Sequence, residues 1–389
     1  MRAGSLHNLD FALVLSTLAA TAVGIIMVYS ATKGAHLEAT GLNDFTIRQA
    51  IYGVICIVLM LLISRIDYRF LESFTLPLYL FTLGLLGVVM LLGTIAYGSQ
   101  RWINLGLFPI QPSELTKLII IVVLAKFLSD RARELHKVKW FIAAGIITAI
   151  PAAIVFKQPD LGTAIMLGAI FLGMTIAAGV RGRIYLGVAL LSIPALYVFW
   201  NFVMQEYQQK RFLIFLDPEK DLLNEGYNIL QARITIGSGG WFGQGYMAGT
   251  QSQGEFLKVG YSDFIFSVVA EEFGFIGAMI LVALLFIAVW RCLVVASRAK
   301  DTYGSLIAVG VATWIGMQIF INVGMNIGLM PVTGIPLPFI SYGGSSLMSI
   351  LLGLGLVQSV ALRSSPLMFG GEKLSHGWAK SARTTLRPR

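Results

Sequence analysis

IGSGGWFGQGYMAGTQSQGEFLKVGYSDFIFSVVAEE, from Ile236 to Glu272, holds the change of character that decides the fold. A glycine-rich, polar stretch ends in one carboxylate, Asp263, and an apolar run begins at once. If that run crosses a membrane, Asp263 stands where water meets lipid. An acid there is costly unless it faces a cavity or a partner, which makes it a functional candidate by default.

The rest of the chain supports the membrane reading. Of 389 residues, 56% are hydrophobic and 13% charged, with a mean hydropathy of +0.77; soluble domains carry about 25% charge. Apolar runs of roughly 18 to 25 residues recur from end to end, each able to cross a hydrocarbon core of about 30 Å. The prediction is an all-α polytopic membrane protein with about ten transmembrane helices. They cover Leu9–Ser30, Ala50–Ser64, Phe74–Gly93, Ser113–Leu128, Trp140–Phe156, Thr163–Gly179, Ile184–Val203, Phe264–Trp290, Tyr303–Leu329 and Ser346–Leu362. One transmembrane domain over 1–363 and a basic, disordered tail over 364–389 are expected. The first helix reads as retained, because no A-x-A-like cleavage signal follows it.

Connector charge sets the expected orientation. Arg65 and Arg69; Arg131, Arg133, Lys137 and Lys139; Arg181 and Arg183; and Arg291, Arg298 and Lys300 fall on one face, with Arg2 and the tail. The positive-inside rule places that face, and both termini, in the cytoplasm. The net charge of +9 is spent on this asymmetry, so a nucleic-acid partner is not expected. The long connector, 200–262, is then an extracytoplasmic loop between the seventh and eighth helices. Its amphipathic spacing at Tyr227, Leu230 and Ile234 predicts a helix folded back on the membrane face.

Polar residues near the outer helix ends are the candidates for chemistry. Arg101, in GSQRWINLG, offers a planar fork suited to phosphate oxygens. QPSELTK, from Gln111 to Lys117, places Glu114 and Lys117 three residues apart on one helix face, read equally as a local ion pair or as substrate contacts. Pro112 and Ser113 look like a helix start, with Ser113 as the cap. Asp160, in KQPDLGT, reads by itself as a helix cap. MPVTGIPLPFISYGGSS, ending at Ser346, is rich in proline and glycine, and such backbone at membrane depth belongs beside protein or a cavity. Ser341, Ser345 and Ser346 would be among its polar groups. Of Glu271 and Glu272, which share the eighth predicted helix with Asp263, at least one is expected to be structural. A carboxylate partly removed from water has a raised pKa and can serve as a general base.

Several classes are disfavoured. There is no G-x-x-x-x-G-K-[ST] loop, the four histidines are scattered, which argues against a His/Cys zinc site, and GSGG lacks a strand–turn–helix context. Cys56 and Cys292 lie in apolar runs, so no disulfide framework is expected.

Taken together, PVTGIPLPFISYGGSS and the ordered set GSQRWINLG, QPSELTK, QPDLGT, IGSGG and SDFIF…AEE resemble the SEDS family of bacterial cell-wall proteins (shape, elongation, division and sporulation). LDPEKD, GTQSQ and DYRFLE resemble its elongation branch, RodA, more than its division branch, FtsW. The resemblance implies a peptidoglycan glycosyltransferase that polymerises lipid II, releases undecaprenyl pyrophosphate and works with a class B penicillin-binding protein. It implies Asp263 as the essential acid, with Arg101, Gln111, Glu114, Lys117, Asp160 and Ser341 in one polar site, and a divalent cation as a candidate aid to the leaving group. One departure stands out: the family pattern FLPE-x-HTDFIF reads FLKVGYSDFIF here, with Lys258, Val259, Tyr261 and Ser262 in place of Pro, Glu, His and Thr. A mechanism that needs that His or Glu is in doubt. A flippase or transporter, or a scaffold that activates its partner, remains the alternative on the residues alone.

Overall fold

The computed structural model describes residues 9–33, 44–92, 94–96, 99–104, 109–221, 225–254, 256–257 and 260–364. The helices, in chain order, are α1 (Phe11–Lys33), α2 (Phe45–Arg65), α3 (Thr75–Leu92), α4 (Pro112–Asp130), α5 (Val138–Lys157), α6 (Leu161–Ala177) and α7 (Gly182–Val198). They continue with α8 (Glu206–Leu216), α9 (Glu225–Ser238), α10 (Thr250–Gln253), α11 (Ile265–Arg298), α12 (Thr302–Asn326) and α13 (Gly344–Arg363). All ten segments expected to be helical are so, with shifted ends. Among the described residues, eight helices are long and apolar enough to cross a membrane. Outside that count fall α4, which carries Glu114, Lys117, Lys126 and Asp130, and α6, with 17 residues. The basic tail beyond Ser364, with Lys258 and Val259, lies outside the described residues.

The chain is not purely helical. Between α3 and α4, β1 (Thr94–Ala96), β2 (Ser99–Asn104) and β3 (Pro109–Ile110) form an antiparallel sheet in that order. Arg101, in the connector after the third helix, therefore sits on a strand. The stretch is too short for a helical period to show, while Ile95, Trp102 and Ile103 suit a pleated surface.

The bundle is built around α13 and α12. α13 is buried on nearly every side, packed against α2 and α12: its small and apolar residues fit closely, and buried polar ones such as Ser345, Gln358 and Ser359 find hydrogen-bond partners. α12 packs against α4, α6 and α11, with Trp314, Ile307 and Val311 in the core. α7 has no buried residue and forms the outermost element.

Alternation of the helices puts polar groups at two ends. At one, Arg291 forks onto Asp10 (2.6–3.2 Å), Tyr68 and Arg69 donate to Asp301 (2.6 and 2.8 Å), and Arg363 pairs with Asp67 (3.3 Å). The other end gathers the first residues of α2, α4, α6, α11 and α13, with Asp263 among them. Between α8 and α11, α9 packs on α11. A helix in this loop was expected; it buries Ile229, Ala232 and Thr235, while Ile234 of the Tyr227–Leu230–Ile234 stripe faces outward.

Candidate active site

Asp263 lies in the turn just before α11, not on the helix with Glu271 and Glu272 as expected. Its backbone is held there from α12: Asn322 and Asn326 each donate a side-chain N–H to the Asp263 carbonyl (3.1 and 3.0 Å). Asn326 also accepts from the Ser267 hydroxyl (2.7 Å), which ties the first turn of α11 to the same ladder. Its carboxylate accepts from the Ser262 hydroxyl (2.9 Å). The Ser262 carbonyl in turn accepts from Ser341 Oγ (2.6 Å). Ser262, one of the departures from the family pattern, thus supplies a hydrogen bond to the acid. Tyr261, another, packs its ring against Phe45 and Tyr342.

The Asp263 side chain is part-exposed, neither sealed in the core nor fully hydrated. Burial pushes its carboxyl above the usual carboxylate range, while the Ser262 hydrogen bond and the positive charge of Arg211 on α8 oppose that rise. It is therefore an ionisable acid held by fixed neighbours at a helix bundle's rim, which is what a general base requires.

A second cluster forms around Asp160. This residue caps α6 as expected, accepting from the Thr163 N–H (3.1 Å) and hydroxyl (3.0 Å). It also accepts from Gln111 Nε2 (3.3 Å) and Ser113 Oγ (3.3 Å), and Arg101 Nη1 lies 3.9 Å from it. Ser113 is therefore not the cap of α4: that helix begins at Pro112 behind Gln111, and the hydroxyl turns across to Asp160. The capping donor and Arg101 are distinct loads on one carboxylate. Arg101 is itself fixed by donating to the backbone carbonyls of Gln158 (2.8 Å) and Pro159.

One helical turn further in, Lys117 Nζ donates to Glu114 Oε1 at 2.7 Å, with 1% and 5% of the side chains exposed. Lys117 also sits 5.2 Å from the Trp314 ring centroid. Breaking a pair so deeply buried leaves an uncompensated charge, so the two stand or fall together. The expected ion pair is present.

The Pro331–Ser346 segment joins the two clusters. Ser341 reaches the Asp263 turn, Ser345 accepts from the Gln111 N–H (2.9 Å), and Ser346 accepts from Gln318 (3.4 Å). Its backbone carbonyl at Thr333 lies so close to Gly162 that any Cβ there would collide with it. Within it, Phe339 has φ 67°, a left-handed conformation that a bulky residue holds only where packing dictates it. Arg101, Gln111 and Asp160 are thus brought into one network, Glu114 and Lys117 stand behind it on α4, and Ser341 belongs with Asp263. Among the described residues no group of three or more His, Cys, Asp or Glu gathers as a metal site would need.

Three residues were missed in the sequence: Arg211, Asn322 and Asn326. Two asparagines one turn apart in an apolar helix are a readable signal, since polar groups at that depth need a partner. Arg211 looks like any surface charge on an amphipathic helix.

A model of the cell cycle protein family FtsW/RodA/SpoVE matches residues 11–365. The chain belongs to this family. Among its relatives, the peptidoglycan glycosyltransferase MrdB of Escherichia coli K12 is 37% identical over 354 residues, spanning 91% of this chain and 93% of that one. A probable peptidoglycan glycosyltransferase FtsW of Geobacter metallireducens is 38% identical over 367 residues, spanning 92% and 96%. Among solved structures, a chain from a study of the coordination of polymerization and crosslinking by a peptidoglycan synthase complex superposes with a TM-score of 0.77. It is 31% identical, and the match covers 91% of this chain and 97% of that one. The Thermus thermophilus rod shape determining protein RodA superposes with a TM-score of 0.66 at 28% identity. The family and the apolar helices together make this a multi-pass membrane protein.

Proposed function

We infer that the chain is a peptidoglycan glycosyltransferase, and that Asp263 is its general base. The observation that carries the second part is the part-exposed, pKa-raised carboxylate fixed by Ser262, Asn322 and Asn326 at the helix ends. The activity is the one named in its family relatives. Lipid II is the substrate class that this activity needs. The C4 hydroxyl of one sugar loses its proton to Asp263 as its oxygen attacks the anomeric carbon of a second, lipid-linked sugar. The bond from that carbon to the pyrophosphate breaks, and undecaprenyl pyrophosphate leaves with the electron pair. A single displacement with no covalent intermediate inverts the anomeric centre.

The leaving group gathers negative charge, and Arg101, beside Asp160 and Gln111, is the cation suited to meet it. Lys117 is already paired with Glu114 and lies over the Trp314 ring, so its part is to balance the buried Glu114 charge. The basic connectors lie at the end opposite Asp263, which supports cytoplasmic termini and an outward-facing site. The elongation role is the one the RodA-like segments favour.

A class B penicillin-binding protein is the proposed partner. An apolar groove of about 360 Å³ runs between α11 and α12, lined by Val282, Phe286, Val289, Phe320, Val323 and Ile327. It suits a membrane-spanning helix, and one of the similar solved chains comes from a peptidoglycan synthase complex.

Purified chain in detergent, where sidedness vanishes, is expected to polymerise labelled lipid II, read as glycan ladders on a gel. Product only when the partner is added, and lost when the partner's own site is disabled, would instead favour a scaffold. Absence of any product, with lipid II transfer across vesicles, would favour a flippase.

A further inference from the structure

The glycine-rich loop after α9 does more than lead to Asp263. α11 is 34 residues long, about 51 Å at 1.5 Å per residue, well beyond a hydrocarbon core of about 30 Å. It is broken at Gly274 (φ 68°, ψ −169°). The part after the break is itself long enough to span, so the break lies near the membrane boundary on the Asp263 side. The loop is stitched into that break. Gln244 and Gly245 donate their N–H groups to the freed carbonyls of Glu271 and Glu272 (2.9 and 3.0 Å). Phe275 and Ile276 donate theirs to Gly240 and Trp241 (2.9 and 3.2 Å). A Cβ at Gly274 would strike the backbone of Trp241–Gly243, and one at Gly243 the carbonyl of Glu272.

Glu271 fastens the loop further, accepting from the N–H groups of Gln251 (2.7 Å) and Ser252 (2.9 Å). Tyr246 donates its hydroxyl to the Ile26 carbonyl (3.3 Å), one to two turns inside the end of α1. The carbonyls and N–H groups that the break in α11 frees are therefore paired with the loop, the condition under which irregular chain is tolerated at membrane depth. Its side chains point the other way: Trp241 is 68% and Phe242 82% exposed. No charged residue occurs between Arg233 and Glu255. The Trp241 ring meets that of Phe275 (centroids 5.2 Å) and Tyr246 lies against Phe273 and Ile26, so the loop adjoins the exposed faces of Ile26, Phe273 and Phe275 on the spanning helices.

We propose that the loop segment from Gly239 to Met247 is a wedge that binds the acyl-chain boundary of the lipid bilayer through Trp241 and Phe242, held at that depth by the break in α11. The occupant is lipid because the surface is aromatic, uncharged and continuous with the lipid-facing sides of α1 and α11; interfacial Trp and Tyr are the usual anchors there. The proposal stands whether or not Asp263 is the base.

The test places a polarity-sensitive fluorophore at Phe242→Cys, in the full chain in phosphatidylcholine–phosphatidylglycerol nanodiscs; Cys56 and Cys292 are buried. A Lys220→Cys variant, at a side chain 78% exposed beside α8, is the aqueous reference. Label at 242 is expected to lose most of its emission to lipid carrying a doxyl group near the glycerol end, and little to a water-soluble nickel chelate. The label at 220 should do the reverse. Quenching at 242 by the chelate, with no response to doxyl lipid, would overturn the proposal. Gly274→Ala should shift the 242 label toward chelate quenching; an unchanged lipid response in that variant would show that the break does not hold the wedge.

Discussion

The two ends of the helix bundle set most of their charge pairs at different depths. At the basic end, Arg69 is 49% exposed beside Asp301 and Lys126 is half-buried between Asp130 and Glu72, while Arg291–Asp10 is the one pair there set as deep as Arg101–Asp160. At the Asp263 end, the pairs are inside, with Lys117 and Glu114 almost fully buried and Asp160 loaded by four neighbours. Exposed pairs contribute about 0–1 kcal/mol and serve orientation. Buried charges cost desolvation and stabilise little, so a fold that keeps them is keeping them for chemistry or for specificity. The contrast separates staples from site.

The sharpest break of that contrast is Asp263→Asn, which keeps size and can keep a hydrogen bond to Ser262 but removes the base. Glycan formation should fall by about 10²–10⁴-fold, as loss of a general base does, while thermal unfolding in detergent stays near the parent. Near-parent turnover would remove Asp263 from its role.

Next in size, Lys117→Met should lower stability by about 3–5 kcal/mol, because Glu114 is left buried without its partner. The double variant Lys117→Met/Glu114→Gln should recover much of that in thermal unfolding. If it also recovered polymerisation, the pair would be a staple after all, like those of the other end.

A smaller effect tests the electrostatics at Asp263. A base works deprotonated, so activity falls as pH drops through its raised pKa. Arg211→Gln removes a positive charge that favours the carboxylate, hence the pKa rises and the acid limb of the pH–rate profile moves to higher pH. A limb that stays in place, or moves to lower pH, would separate Arg211 from Asp263. The smallest change is expected at the basic end, where Lys126→Ala should alter stability by no more than about 1 kcal/mol and leave turnover intact.

Much of this was legible in the chain itself. The spanning segments stood out because an apolar run of that length has one physical use, and the basic connectors fell on one end as their spacing implied. Asp160 was read as a cap and is one. The short sheet was not legible, because three strands of two to six residues leave too little pattern against long helices. Nor was it legible which residues α9 buries against α11, since that face is chosen by the neighbouring helix.

Residue order alone therefore determined the membrane class, the helices, the family and the single acid before α11. Those features are written in local composition and in short motifs, and lipid imposes them segment by segment. The tertiary structure decided the rest: that Asn322 and Asn326 hold the acid's backbone, that the charge of Arg211 acts on it, and that Ser341 and Ser345 join two clusters far apart in the chain. Such contacts arise only when helices pack, since each polar group buried among them must find whichever partner the neighbouring helix presents.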